Sequence, residues 1–231
     1  FQEYFRRMTE DPKRWSQPFS ALLGAYAAQI GFGLPSIGGK DSMSGTFDDE
    51  HGEINVPPTL VSFAVDVNSC KNIITPEFKK AGSKIVEFKI NRDNYDLPDY
   101  AQIMDGYGKL FEDIKAGKIL SAYAVEGRGA AEAVSKMAFG NKMGVKIEHN
   151  VDPRDFFGAG WGNIVCEVAE GKVGELSIPY TLLGEVTDKS VFEYGNTVIT
   201  MDEALAGWMK TLEDVFPTVT GKEKTGEAAR V

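Results

Sequence analysis

Cysteine, histidine and long apolar runs are all scarce in this sequence. Its 231 residues include only two cysteines, Cys70 and Cys166, and two histidines, His51 and His149. The cysteines lie far apart and form no CxxC pair, so zinc-ribbon and dithiol-redox sites have no basis. We expect two buried thiols, as in proteins of a reducing cytoplasm, and a disulfide between them is the alternative that the sequence leaves open. No Ser–His–Asp or Cys–His spacing is present, which excludes a hydrolase built on a catalytic triad.

Positive charge is also in short supply. The chain has 25 Lys and Arg against 34 Asp and Glu, a net charge of −9. An acidic surface repels phosphate backbones, and no basic stripe is present, so nucleic-acid partners are excluded. The apolar runs are shorter than a bilayer span, and no signal-peptide pattern follows Phe1. We therefore expect a cytoplasmic protein without membrane contact. Residues 1 to 9 read as a polar helix that starts abruptly, which suggests a piece of a longer polypeptide.

The apolar residues that are present follow helix and strand periods. They make up 42% of the chain, enough to bury a core without disulfides. Residues 19 to 30 carry an apolar stripe on one helical face, and residues 59 to 67 are rich in β-branched and aromatic types, which predicts a helix and then a strand. Short strands and helices alternate from about residue 71. This alternation predicts an α/β (α+β) fold, with an open mixed sheet and helices packed on one side. The later strands are predicted at 84–90 and 119–126 and in GVKIEH, NIVCEVA and LLGEVT, and the later helices at 99–116, 130–139 and 200–216.

The chain divides into three predicted segments. The first comprises residues 1–75 and the second residues 76–217, with the boundary between the strands that end at Val67 and start at Lys84. After Pro217 the composition becomes polar without an apolar period. Residues 218–231 are therefore predicted to be a linker or tail.

The segment from Gly38 to Gly45, GGKDSMSG, is the most informative stretch for chemistry. Adjacent glycines allow a backbone to approach a ligand closely and to direct amides at an anion. Lys40 offers a positive charge to phosphate, and Ser42 offers a hydroxyl donor. A Walker A loop is excluded because Lys40 is followed by Asp41 and Leu34 occupies the place of the first glycine. The composition alone fits a solvated turn at least as well.

Two segments of the sequence resemble a known enzyme family. Residues 35–44, PSIGGKDSMS, closely resemble a loop of the large single-chain form of phosphoribosylformylglycinamidine synthase. Residues 136–145, KMAFGNKMGV, resemble a second segment of that family. Between them, VPPTLVSFAVDV and NIITPEFK fit its strand and domain junction. The order and spacing agree, and the likeness extends from about residue 15 to residue 216.

The resemblance implies a fold and a reaction. The chain would be a fragment of the second half of the synthase region, with an aminoimidazole-ribotide-synthetase-like fold. Residues 1–75 would be the C-terminal part of the first, ATP- and substrate-side domain, and residues 76–217 the complete second domain. The family uses ATP and Mg²⁺ to phosphorylate the amide oxygen of formylglycinamide ribonucleotide, and glutamine-derived ammonia then displaces the phosphate. The partners of the chain would be the first synthase half and the glutaminase domain of the same polypeptide. An open apolar sheet face would also favour a homodimer of the fragment.

The resemblance also assigns roles to the loop. Gly38, Gly39 and Lys40 would lie at the nucleotide phosphates. Ser42 and Ser44 would lie at the substrate, with Asp41 as a further candidate ligand. No catalytic residue follows from the likeness. The metal-binding asparagine of related small forms falls opposite Lys40, so no metal ligand is assigned.

One departure from the family concerns an auxiliary nucleotide site. Many large forms carry an Asp-x-Ser pair before the MAF helix, and this pair falls on Ala124 and Glu126 here. Alanine has no ligand atom, so we expect the auxiliary site to be altered or lost. An alternative function follows from this departure, a non-catalytic structural half that pairs with the catalytic half. A kinase of the same superfamily fits the GGKDSMS and MAFGN segments less well.

Overall fold

The computed structural model of the chain describes residues 2–217. Phe1 and residues 218–231, which hold the predicted linker or tail, lie outside the described residues. The chain forms two compact units. The first contains the described residues up to Ile73 together with Asn91–Asp105, and the second contains Ile74–Ile90 and the described residues from Gly106 onward. The predicted domain boundary at residue 75 stays a prediction.

The first unit begins with a strand and not with the polar helix predicted for residues 1 to 9. Strand β1 (Gln2–Tyr4) pairs in parallel with β2 (Lys40–Ser42) and antiparallel with β5 (Thr59–Val61). The helix prediction was wrong because two distant partners set this segment's conformation, and a local polar pattern does not reveal them. Strands β3 (Thr46–Asp49) and β4 (Gly52–Asn55) form a hairpin.

Helix α1 (Pro12–Phe32) is longer than the predicted 19–30. Its N-terminus is capped by Asp11, which accepts a hydrogen bond from the Lys13 N–H, and it ends at Gly33 with φ 66°. None of its described residues is buried. The apolar stripe that predicted the helix is exposed to solvent, including Leu22 and Ile30. The periodicity therefore located the helix but not a face packed within the described chain.

The strand predicted at 59–67 is only partly formed. Its first three residues, Thr59–Val61, pair with β1. Phe63, Val65 and Val67 continue the alternation, but they are exposed and lie outside the described strands. The prediction was too long because strand propensity alone supplies no pairing partner.

The second unit is built on a mixed sheet of seven described strands in the order β12-β11-β8-β10-β6-β9-β7. Strand β11 runs parallel to β8, and the other neighbours are antiparallel. The mixed sheet predicted from the sequence is thus confirmed. Hairpin β11–β12 and helix α4 were not predicted. The strands are β6 (Lys84–Phe88), β7 (Ile119–Ala124), β8 (Gly144–Ile147), β9 (Ile164–Val168), β10 (Thr181–Thr187), β11 (Val191–Tyr194) and β12 (Thr197–Thr200), and the helices within the unit are α3 (Gly129–Asn141), α4 (Pro153–Phe157) and α5 (Met201–Glu213), with a short 3₁₀ helix at Val173–Glu175. Helix α2 (Tyr100–Lys115) has its residues up to Asp105 in the first unit and the rest in the second, and a short 3₁₀ helix at Cys70–Asn72 belongs to the first unit.

Apolar residues pack on both faces of this sheet. On β6, Ile85 belongs to the cluster that contains the buried residues of α3, whereas Val86 and Phe88 belong to a second cluster with Leu110 of α2. Successive residues of a strand point to opposite faces. Helices therefore cover both faces, and the expectation that they pack on one side was wrong. Apart from Lys84 and Glu87, the residues of β6 are apolar on both faces, which is the pattern of a doubly covered strand.

A buried carboxylate ties the chain segment before β6 to the sheet. Glu167 of β9 is fully buried. It accepts hydrogen bonds from the backbone N–H groups of Lys79 (2.8 Å) and Lys80 (2.9 Å) and from the Ser121 hydroxyl (2.8 Å). The Ser121 hydroxyl is itself buried and would otherwise need another acceptor.

The end of α5 departs from its predicted packing. Thr200 caps the helix by accepting from the Glu203 N–H. The apolar period of this segment predicts an inward stripe of Leu205, Trp208 or Met209, Leu212 and Phe216. Leu205 packs on the core, but Trp208, Leu212 and Phe216 are each more than half exposed. They line a groove of about 900 Å³ between α5 and α3.

The two cysteines differ in their surroundings. Cys166 is buried and Cys70 is exposed, and both are free thiols. The expectation of a buried Cys70 was wrong because the 62–73 segment contributes no buried residue. Within residues 2–217, no helix is long and apolar enough to cross a bilayer.

Candidate functional site

The GGKDSMSG segment follows α1 through a turn held by one side chain. Gln29, in the last turn of α1, accepts the Leu34 N–H at its carbonyl (3.0 Å) and the Ser36 N–H at its side-chain oxygen (2.8 Å). Gly38 then adopts φ 155°, a conformation that other residues rarely adopt. The segment is thereby directed away from the helix and into the small sheet.

Strand β2 contains the central residues of the predicted site. Lys40 pairs with Gln2 and Ser42 pairs with Tyr4 along β1. Residues in register on neighbouring strands lie on the same face, and residues two apart on one strand do so as well. Lys40, Ser42, Gln2 and Tyr4 therefore share one face of the sheet. Asp41 occupies the intervening register position, paired with Glu3.

The strand pairing ends in an extra residue next to Ser44. The Phe5 N–H donates to the Ser42 carbonyl (2.8 Å), and the Phe5 carbonyl accepts from the Gly45 N–H (2.9 Å). A regular parallel ladder would use the N–H of Ser44 for the second bond. One residue is thus inserted at Met43–Ser44, as in a β-bulge, a feature that redirects side chains and is common near functional sites.

Gly45 closes the segment in a position that admits no side chain. A Cβ atom there would lie 2.2 Å from the Val56 side chain and 3.0 Å from the Phe5 carbonyl. Phe5 itself is buried in the first unit. The bulge is therefore fixed on one side by close backbone packing, which holds the preceding serines in place.

The serine hydroxyls of the segment remain available. Ser42 is half-buried and Ser44 is exposed. Among the described residues, neither hydroxyl has a hydrogen-bond partner, whereas the backbone carbonyls of both residues accept bonds from Phe5 and Thr46. A hydroxyl can both donate and accept, so the pair can bind a polar ligand group without breaking an internal bond.

The sequence missed the contribution of the strands beside the loop. Gln2 and Tyr4 of β1 and Thr59 of β5 lie on the same sheet face as Lys40 and Ser42. These residues were not predicted because the 1–9 segment reads locally as helix.

An ion pair between Arg14 and Glu53 holds the β3–β4 hairpin, and the hydrogen bond from the Arg14 guanidinium lowers the pKa of Glu53.

The second segment that resembles the family, residues 136–145, packs into the core of the second unit. Met137 and Ala138 are fully buried in the core, and the Asn141 side chain donates to the Phe78 carbonyl (2.8 Å). Lys142 ends α3 with φ 53°. The position compared with the auxiliary site, Ala124, is exposed at the end of β7. Whether the auxiliary site is altered stays a prediction.

The described residues do not by themselves fit a metal centre. In residues 2–217 no group of three or more His, Cys, Asp and Glu side chains is close enough to hold a metal ion. Two cavities lie in the second unit, the groove of about 900 Å³ beside α5 and one of about 140 Å³ beside Glu87. Burial raises the pKa of Glu87, and a hydrogen bond from Asn163 partly offsets this. Neither cavity is lined by the GGKDSMSG segment.

Known structures share the architecture described above. Phosphoribosylformylglycinamidine synthase II from Thermotoga maritima matches with a TM-score of 0.60 at 13% identity, over 88% of this chain and 36% of that chain. T. maritima PurL in complex with ATP matches with a TM-score of 0.58 at 12% identity, over 88% and 37%. Escherichia coli HypE matches with a TM-score of 0.53 at 14% identity, over 81% of this chain and 69% of that chain.

The chain has the aminoimidazole-ribotide-synthetase-like fold. The fold class predicted from the sequence is confirmed. The chain spans a little over one third of the length of the synthase structures that it matches. No family model matches the sequence.

Proposed function

We propose that the chain is part of the ATP-dependent synthase that converts formylglycinamide ribonucleotide to formylglycinamidine ribonucleotide in de novo purine biosynthesis. The reaction class is a ligase that forms a C–N bond with glutamine-derived ammonia. The proposal depends on an agreement between two sequence segments and the fold. The GGKDSMS and MAFGN segments resemble the large synthase, and the fold matches a synthase of the same name over 88% of the chain.

The geometry of the loop is consistent with nucleotide and substrate binding. Lys40 and Ser42 share a sheet face, and Gly38 and Gly39 precede them without side chains. We propose that Gly38, Gly39 and Lys40 contact nucleotide phosphates, where a positive charge and backbone amides stabilise negative oxygens. Ser42 and Ser44, with hydroxyls that have no partner among the described residues, would contact the substrate. Asp41 remains a further candidate ligand.

ATP and Mg²⁺ are the cofactors of the proposed reaction. A T. maritima synthase with the same fold is known in complex with ATP. Because the described residues lack a three-ligand acidic group, no metal ligand is assigned to this chain. The residues of the loop act on phosphate oxygens directly, by charge and by hydrogen bonds.

The proposed partners are further portions of the same polypeptide, including a first synthase half and a glutaminase domain. The apolar stripe of α1, which includes Leu22 and Ile30, is exposed in the first unit, and so are Phe63 and Val65 after β5. Exposed apolar surface of this extent usually marks an interaction site. A homodimer of the isolated chain would cover the same surface.

The alternative function is a structural half without catalytic residues. Ala124 favours it for the auxiliary site, because a methyl group at the end of β7 coordinates neither metal nor nucleotide. The retained GGKDSMS segment favours a role in the working site.

One experiment separates the two functions. Lys40→Ala and Ser42→Ala are introduced into the full-length enzyme, and ammonia-dependent amidine formation is measured with the melting temperature as a folding control. We expect activity to fall about a hundredfold, which is about 2.7 kcal/mol of transition-state stabilisation, with melting unchanged. Lys13→Ala, at an exposed position of α1 in the same unit, is the matched control and should retain activity. Full activity in both loop variants would mean that the loop is structural.

A further inference from the structure

Arg6 differs from the other described arginines of the first unit. Arg7, Arg14 and Arg92 each donate to an acidic side chain or a carbonyl. Arg6 is half-buried, and its buried Nε has no hydrogen-bond partner among residues 2–217. The partners of the other three are Asp48 for Arg7, Glu53 for Arg14 and the Asp96 carbonyl for Arg92.

An unpaired guanidinium nitrogen in this position is energetically costly. Arginine stays protonated at any ordinary pH and carries only donors. Leaving a buried donor without an acceptor costs roughly 1–3 kcal/mol, and more for a charged group. The first unit has already placed acceptors beside its other arginines. The missing acceptor of Arg6 is therefore expected to be an anion that binds from outside the described chain.

The position of Arg6 places it beside the bulge of the candidate loop. Its neighbour Phe5 exchanges backbone hydrogen bonds with Ser42 and Gly45. On its other side, the Arg7 N–H donates to the Thr46 hydroxyl oxygen (2.7 Å). Arg6 is thus held between two residues that are both bonded to the 42–46 segment. Ser44, in the bulge, has a hydroxyl without a partner among the described residues.

We propose that Arg6 and the Ser44 hydroxyl form an oxyanion site for the phosphate group of a phosphorylated ligand. A guanidinium presents parallel N–H donors that match phosphate oxygens, and a serine hydroxyl adds a third donor. Ser42, two residues before Ser44 in the same segment, extends the site toward Lys40. The site deepens the proposed function, and it rests on that function only for the identity of the molecule that carries the phosphate.

The test uses the nitrogen–proton signals of the arginine Nε groups in the ¹⁵N-labelled chain. Inorganic phosphate is titrated at constant ionic strength, with chloride as the exchanged ion. We expect the Arg6 Nε–H signal to shift with saturation, and Arg6→Gln to weaken phosphate binding at least tenfold. Arg6→Lys keeps the charge without the paired donors and should be intermediate. Arg7→Gln is the matched control, because Arg7 is already paired with Asp48, and it should bind phosphate as the unaltered chain does.

Two results would overturn the site. One is an Arg6 signal that does not move with phosphate, and the other is equal weakening in the Arg6 and Arg7 variants, which would indicate a general charge effect. Backbone amide spectra of each variant report whether the chain is folded. If Arg6→Gln does not fold, Ser44→Ala, at an exposed position, must reduce the affinity severalfold for the proposal to stand.

The source of the phosphate is resolved by two further ligands. Ribose 5-phosphate and ATP are titrated in parallel. Tighter binding of ribose 5-phosphate than of inorganic phosphate assigns the site to a sugar phosphate, and tighter binding of ATP assigns it to a nucleotide. Either result supports an oxyanion site even if the full-length enzyme makes no amidine, so this proposal and the proposed function can fail separately.

Discussion

Replacement of Glu167 by glutamine tests how the second unit is held together. Glutamine has the same shape as glutamate, so Glu167→Gln creates no cavity. One oxygen can still accept from Lys79 and Ser121, as Oε2 does at 2.8 Å for both. The other oxygen becomes an NH₂ group that faces the Lys80 N–H, now 2.9 Å from its acceptor. A backbone donor in a partly buried hydrogen bond thereby loses its acceptor and meets a second donor.

The expected loss follows from these contacts. An unsatisfied buried N–H costs about 1–3 kcal/mol, and the remaining bonds lose their charge assistance. We expect a decrease of about 2–3 kcal/mol in the free energy of unfolding, which lowers the melting temperature by roughly 4–12 °C for a chain of this size. The assay is thermal and urea unfolding followed by circular dichroism. Amide hydrogen exchange adds a local readout, in which the Lys80 amide should lose protection.

A second variant, Glu170→Gln, serves as the control for Glu167→Gln. Glu170→Gln changes an exposed carboxylate three residues away, and it should alter stability by less than about 0.5 kcal/mol. If Glu167→Gln is as stable as the unaltered chain, the desolvation of the carboxylate must cost as much as its three hydrogen bonds contribute. The anchoring role assigned to Glu167 would then be wrong.

Two further predictions concern titration and thiol chemistry. Burial raises the pKa of Glu87. The contribution of this group to stability is therefore complete below the unfolded-state pKa and is lost as the pH rises through the folded-state pKa. Glu87→Gln, which can still accept from Asn163, should gain stability relative to the unaltered chain between pH 4 and pH 7 in urea unfolding, and a stability difference that does not change with pH would contradict this. Burial raises the pKa of the Cys166 thiol to about 12. A disulfide reagent at pH 8 should therefore modify only the exposed Cys70 in the native chain and both thiols in denaturant. Rapid labelling of Cys166 in the native chain would instead show that this thiol is accessible.

The second unit could largely be predicted from the sequence. Helix α2 was expected at 99–116 and is found at Tyr100–Lys115, with Ile103 and Leu110 buried as its stripe requires. Leu110 packs in a core cluster of the second unit, so the periodicity of this part of α2 reports a face that is buried. Hairpin β11–β12 escaped prediction because its strands have no buried residue on either side, and an alternation with no buried face gives a weak signal.

The first unit shows where sequence patterns stop being informative. The stripe of α1 and the alternation after β5 are both present in the sequence, but Tyr26 and Val65 remain exposed. An apolar pattern indicates that a face favours burial, but it does not identify the surface that covers that face. The loop was recognised by its residue types, whereas its neighbours Tyr4 and Arg6 were missed. Their proximity arises from the pairing of β1 with β2, across nearly forty residues of chain.

The exposed apolar stripe of α1 affects how much of the chain persists in a cell. Holdase chaperones and quality-control proteases recognise apolar surface that is displayed for long periods. Six large apolar side chains of α1, Trp15, Phe19, Leu22, Leu23, Tyr26 and Ile30, are each more than half exposed. The abundance of this chain would then depend on how quickly its covering surface is supplied after synthesis, because triage competes with assembly from the moment that α1 leaves the ribosome.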